Sequence, residues 1–149
     1  MQTRRNLTLA ALGTAVAGGW SGRASAAPGV FTQGGLALGG YDPAAYWTTK
    51  KAAKGEQSFS FDWNGVTWVF ASQANRDAFA ASPAKYAPAF NGYCPFCLAG
   101  GKLVPGVGNY WDISNGKLYL LLSARVRDDF IMKVDYYVER ATAYWAKLS

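Results

Sequence analysis

Alternation is the clearest signal along the chain. Phe59, Phe61 and Trp63 alternate with Ser60 and Asp62, and Val66, Trp68 and Phe70 flank Thr67 in the same rhythm. A period of two places alternate side chains on one face, so the pattern predicts two strands. Asn64-Gly65 joins them, and that pair supplies the positive φ at both central positions of a type I′ turn. One face of this hairpin is entirely aromatic or branched and must pack on something. Tyr110 to Ile113 and Lys117 to Leu121 predict a second hairpin around Asn115-Gly116.

Between the hairpins the period changes. Ser72 caps a helix predicted to run to about Ala81 with Phe79 facing inward. Pro83 restarts a short turn of helix, with Tyr86 and Phe90 packing beneath it. Ser123 opens a helical stretch reaching the end of the chain. Val126, Phe130, Val134, Tyr137, Val138, Ala141 and Trp145 recur there at steps of three and four, forming one apolar stripe. Asp135 is placed to cap a break within it. The predicted fold class is α+β: a small single domain with two β-hairpins, a central helix and C-terminal helices.

The rest of the chain is less periodic. Residues 27–35 are glycine-rich and read as a mobile lead-in, so the domain proper spans 36–149. Gly39 to Pro43 form a turn cluster before apolar Ala44 to Trp47, and Lys50 to Gln57 read as a charged loop.

The first 26 residues read as an export signal. Thr3-Arg4-Arg5-Asn6-Leu7-Thr8-Leu9 fits the twin-arginine pattern, a mildly apolar stretch from Leu7 to Val16 follows, and Ala24-Ser25-Ala26 fits a small-x-small cleavage site. The apolar stretch is shorter than the roughly 20 residues of a membrane span. The expected location is the periplasm, reached by a protein exported already folded, with no stable membrane span after cleavage. The formal charge of +6 includes Arg4, Arg5 and Arg23, so cleavage lowers it to +3. Lys50, Lys51 and Lys54 are the densest basic patch, but no aromatic side chains interleave them. Solvated surface is expected there, and no nucleic-acid contact.

Composition restricts the chemistry further. The chain has no histidine, which removes Ser/His/Asp triads, Cys/His dyads and histidine-rich zinc sites. Its two cysteines fall together as Cys94-Pro95-Phe96-Cys97. Two thiolates at this spacing suit a soft ion, copper(I) above all, whereas zinc wants four ligands and would need a second chain. Alternatively the pair cycles between dithiol and disulfide. The motif resembles the active-site loop of glutaredoxins, whose first cysteine sits at a helix N-terminus. A helix from Pro95 to about Lys102 is possible, weakened by Gly100-Gly101. A third reading is structural: a closed disulfide or buried filler.

Other constellations are weaker. Asp128 and Asp129 point in different directions on one helix and read as solvated surface. Asp42 before Pro43 reads as a turn hydrogen bond. The many aromatic residues fall at strand and helix periods and read as core, with a shallow aromatic-ligand pocket as the alternative. Gly100-Gly101-Lys102 lacks the spacing of a phosphate loop.

The residues resemble the YHS-domain family, in its exported bacterial subgroup. Gly40-Tyr41-Asp42-Pro43-Ala44-Ala45-Tyr46 is similar to the GYDPVAY opening of that subgroup, and Trp63 to Ser72 is similar to its WNGATWYFAS hairpin. Pro83 to Pro88 resembles PEKYAP, Tyr93-Cys94 ends a GGYC-like element, and Asn115 to Leu120 resembles DGKLYL. The resemblance covers nearly all of 36–149 and implies the fold. Metal-linked members of the family carry DPVCGM and then YFCS..C. Those cysteines fall here on Ala45, Ala71 and Asn75, none of them a ligand. Cys94 falls on the cysteine of the exported subgroup, while Cys97 falls where that subgroup often has glycine. Together these readings give a non-enzymatic exported protein that binds a soft metal ion through Cys94 and Cys97. The alternatives are a thiol redox protein and a structural or aromatic-ligand module; the protein partner and physiological ligand stay open.

Overall fold

The structure, a computed structural model, describes residues 27–149. Residues 1–26, read above as an export signal, lie outside the described residues. The architecture is α+β, with two small sheets and six α-helices among the described residues.

The first hairpin forms as its alternation predicts. Strand β3 (Glu56–Trp63) pairs antiparallel with β4 (Val66–Phe70), with Trp63 opposite Val66 and Phe61 opposite Trp68. Asn64 (φ 54°) and Gly65 (φ 78°) make the turn. β3 begins at Glu56, so the end of the charged loop belongs to the sheet.

The lead-in reading of 27–35 is corrected. Thr32–Gln33 forms β1 and Leu36–Ala37 forms β2, antiparallel to each other, and β2 lies parallel to β4. The sheet order is β1-β2-β4-β3. Val30 is buried, the Phe31 N–H donates to the Asn91 carbonyl at 2.9 Å, and the Asn91 side-chain amide donates to the Pro28 carbonyl at 2.8 Å. The glycines taken for mobility instead supply the tight turn between β1 and β2, where Gly34 and Gly35 both have positive φ.

Three short helices pack around this sheet: α1 (Ala45–Thr48), α2 (Gln73–Ala81) and α3 (Pro83–Tyr86). The Ser72 hydroxyl caps α2, accepting from the Asn75 N–H at 3.1 Å. Phe79 of α2 is fully buried, with the rings of Phe61, Trp63, Trp68 and Phe70 at 6.2, 5.7, 5.0 and 5.1 Å. Phe79 thus sits at the centre of the hairpin's aromatic face, with Tyr46, Leu118 and Leu120 in the same core. Tyr86 packs edge-on against Trp47 at 6.3 Å.

The second hairpin pairs β5 (Val107–Ser114) with β6 (Lys117–Leu121), turning at Asn115 and Gly116. Leu118, Tyr119, Leu120 and Leu121 are all buried, which explains the unbroken apolar run. Their two faces serve different cores. Leu118 and Leu120 join the aromatic core under the first sheet, whereas Tyr119 and Leu121 join a second cluster with Cys94 and Phe130. β6 is the wall between them.

The C-terminal layer is α5 (Ala124–Met132) and α6 (Val134–Lys147). The break lies at Lys133 (φ −147°, ψ 55°), and no side chain caps α6 there. Asp135 is therefore not the cap. It lies in the first turn of α6, where a negative charge suits the helix dipole, and accepts from the Asn115 side-chain amide at 3.1 Å. The apolar stripe faces the second cluster through Val126, Phe130, Val134, Tyr137 and Val138. Among the described residues no helix is long and apolar enough to cross a membrane.

Candidate functional site

The cysteine loop is built by a rare backbone turn. Phe90, Asn91 and Gly92 take positive φ in succession, at 54°, 52° and 91°. Each L-residue in that region costs about 1–2 kcal/mol, so tertiary contacts must hold it. They are visible: Phe90 packs on Tyr119 and Trp145, and Asn91 is bonded on both its carbonyl and its amide. Gly92 is also crowded, since a Cβ there would stand 2.6 Å from Leu38 Cδ2. Gly92→Ala is expected to lower stability by about 1–3 kcal/mol, through φ strain and that clash. A denaturation midpoint unchanged from wild type would contradict this account of the turn.

The chain then runs straight into the thiol pair. The Cys94 N–H donates to the Val104 carbonyl at 2.8 Å and the Gly106 N–H to the Gly92 carbonyl at 2.9 Å, clipping the segment to the returning loop. Pro95 opens α4 (Pro95–Ala99), a position that needs no N–H donor. Gly100 ends the helix, which stops well short of Lys102. Cys94 is its N-cap: the Cys97 N–H points at Cys94 Sγ at 3.4 Å. Phe96 of α4 stacks against Tyr137 of α6 at 4.8 Å.

The two thiols come within 3.1 Å of each other and are not joined as a disulfide. Cys94 is fully buried, while Cys97 is half-buried. Burial pushes the Cys97 thiol up to about 12, helped by its hydrogen bond with Cys94 and by the neighbouring sulfur's charge; Lys102 pulls weakly the other way. At neutral pH Cys97 is therefore a protonated thiol. Among the described residues no group of three or more His, Cys, Asp or Glu side chains is gathered as metal ligands, so the pair can offer an ion two sulfurs. Beside Cys97 lies a cleft of about 490 Å³ walled by Phe96, Val104, Leu122 and Val126, with Lys102 at its edge. Sequence reasoning missed this cleft. Its walls come from α4, the following loop and the start of α5, and no local pattern marks their convergence.

The other candidates separate clearly. Asp42 is fully buried and its carboxylate is saturated. Oδ1 accepts from the backbone N–H groups of Ala44 (2.8 Å) and Ala45 (3.1 Å), and Oδ2 from the Ala71 N–H (2.8 Å) and the Asn75 side-chain amide (2.8 Å). The local turn bond was legible, but the link to Asn75 was not. Ala45, Ala71 and Asn75, where the family resemblance maps three cysteines, thus all meet one carboxylate. Donors on every side leave that carboxylate no role as a base or ligand. Asp128 and Asp129 are exposed, as are Lys50 and Lys51. Lys54 is engaged locally, donating to the Gly39 carbonyl at 3.0 Å and lying over the Tyr41 ring.

Comparison with known protein families, with curated proteins and with solved structures finds no match for this chain.

Proposed function

We propose that this is an exported, periplasmic protein of YHS type that binds one soft metal ion, copper(I), through Cys94 and Cys97 and catalyses no reaction. The observation that carries the reading is the thiol pair itself: two sulfurs within 3.1 Å, one buried and one half-exposed, on one helix turn. The donor set fits copper(I), a soft ion content with few thiolate ligands, better than zinc, which takes four. A shared ion with metal–sulfur bonds near 2.3 Å needs a wider sulfur separation than 3.1 Å. Cys97, the half-exposed member, is the one with room to adjust. The gathering of Ala45, Ala71 and Asn75 around Asp42 supports the YHS resemblance, because residues 26 and 30 positions apart in the chain have no local reason to meet.

The redox alternative is less well supported. A catalytic dithiol needs an accessible thiolate, and Cys97, the accessible member, titrates far above neutrality. An anaerobic titration with copper(I) against a competing chelator tests the proposal. The expected result is one equivalent retained per chain. Retention well below one equivalent, with both thiols shown to be reduced, would overturn it.

A further inference from the structure

We propose that the cleft beside Cys97 binds a small apolar carboxylate, with its hydrocarbon on Phe96, Val104, Leu122 and Val126 and its carboxylate at the Lys102 ammonium. Cys97 forms part of the wall, but the site needs no bound ion. At about 490 Å³ the cleft is the size of ordinary small-molecule sites, roughly 300–1,000 Å³. Its walls are largely apolar, and Leu122 leaves 39% of its surface open to water, so a hydrocarbon entering would dry exposed apolar area.

Charge then selects the head group. Among the described residues, Lys102 is the only charged one in the lining. Its backbone N–H donates to the Cys97 carbonyl at 3.0 Å, which roots the side chain beside the cleft. One cation with no opposing carboxylate favours a singly charged anion and disfavours amines. The exposed cation forms a charge-assisted hydrogen bond to such an anion, a gain that an alcohol of equal length does not receive.

Calorimetric titration of the full protein with octanoate and with octan-1-ol is the test. Octanoate is expected to bind saturably, once per chain, and about tenfold tighter than the alcohol. Lys102→Gln should remove that tenfold preference and leave octan-1-ol binding unchanged. Leu122→Glu should weaken octanoate by placing a like charge at the rim. Both positions are exposed, so neither change threatens the fold. Cys97→Ser should keep octanoate binding even where copper(I) is lost, which separates failure of this site from failure of the thiol site. Equal binding of acid and alcohol by the wild type would overturn the proposal, as would octanoate binding indifferent to both Lys102→Gln and Leu122→Glu.

Discussion

Asp42→Ala is expected to lower stability by about 4 kcal/mol or more, a large share of what a domain of this size holds. The substitution removes the acceptor from four donors at once: the N–H groups of Ala44, Ala45 and Ala71 and the side-chain amide of Asn75. Ala44, Ala45 and Asn75 are themselves buried, so water cannot replace what is lost without opening the structure. Each buried donor left unpaired costs about 1–3 kcal/mol, so the sum is about 4 kcal/mol or more. Domains of this size hold only about 5–15 kcal/mol in total. The loss is also strategic, because this carboxylate ties the start of α1 to the end of β4 and to α2. Asp42→Asn distinguishes the hydrogen-bond account from simple packing. It keeps the volume but turns an amide donor toward one pair of donors, and should cost nearly as much. Asn75→Asp added to Asp42→Asn restores a donor–acceptor pair at that contact and should recover part of the loss. Chemical denaturation of the four proteins, read as a double-mutant cycle, gives the coupling. Additive effects would mean that Asp42 and Asn75 do not act together.

Copper(I) affinity is expected to rise about a hundredfold between pH 6 and pH 8 on account of Cys97 alone. The Cys97 thiol lies at about 12 in the folded protein, so throughout this window it holds a proton that the ion must displace to solvent. One proton released per ion gives about tenfold per pH unit, and the slope persists until the pH nears 12. The same shift acts on folding. The folded value is raised from 9.0 to about 12, so stability linked to this thiol is intact below pH 9 and is lost as pH climbs toward 12. Replacing both cysteines by serine should abolish copper(I) retention at every pH. The fold should survive, because serine is a good N-cap at position 94 and position 97 is half-exposed. A flat affinity–pH profile would show that Cys97 is not a ligand. Unchanged retention in the double variant would remove the thiols from the proposal altogether.

Both hairpins, the central helix and the C-terminal helical layer were legible in the residues. Asn64-Gly65 and Asn115-Gly116 dictate their turns locally, and Ser72 and Ser123 cap their helices through bonds spanning three residues. Signals of this kind need no knowledge of the rest of the chain. The strands β1 and β2 were missed because a two-residue strand has no period to read, and glycine marks a tight turn as readily as a mobile tail. The helix break was placed at Asp135 because acidic residues favour helix starts, whereas the chain turns at Lys133 without any cap. At the thiols, spacing put both sulfurs on one turn, and the helix ended at the glycines that were expected to weaken it.

The order of the two hairpins, the central helix and the C-terminal helices, the α+β class and the nearness of the two cysteines were determined by the sequence alone, since each follows from contacts within a few residues. The tertiary structure alone decided the rest. It buried Cys94 and half-exposed Cys97, raised that thiol, walled the cleft beside it, and drew Asn75 to Asp42. Burial and charge depend on groups far apart in the chain, and only the packed core sets the distances between them.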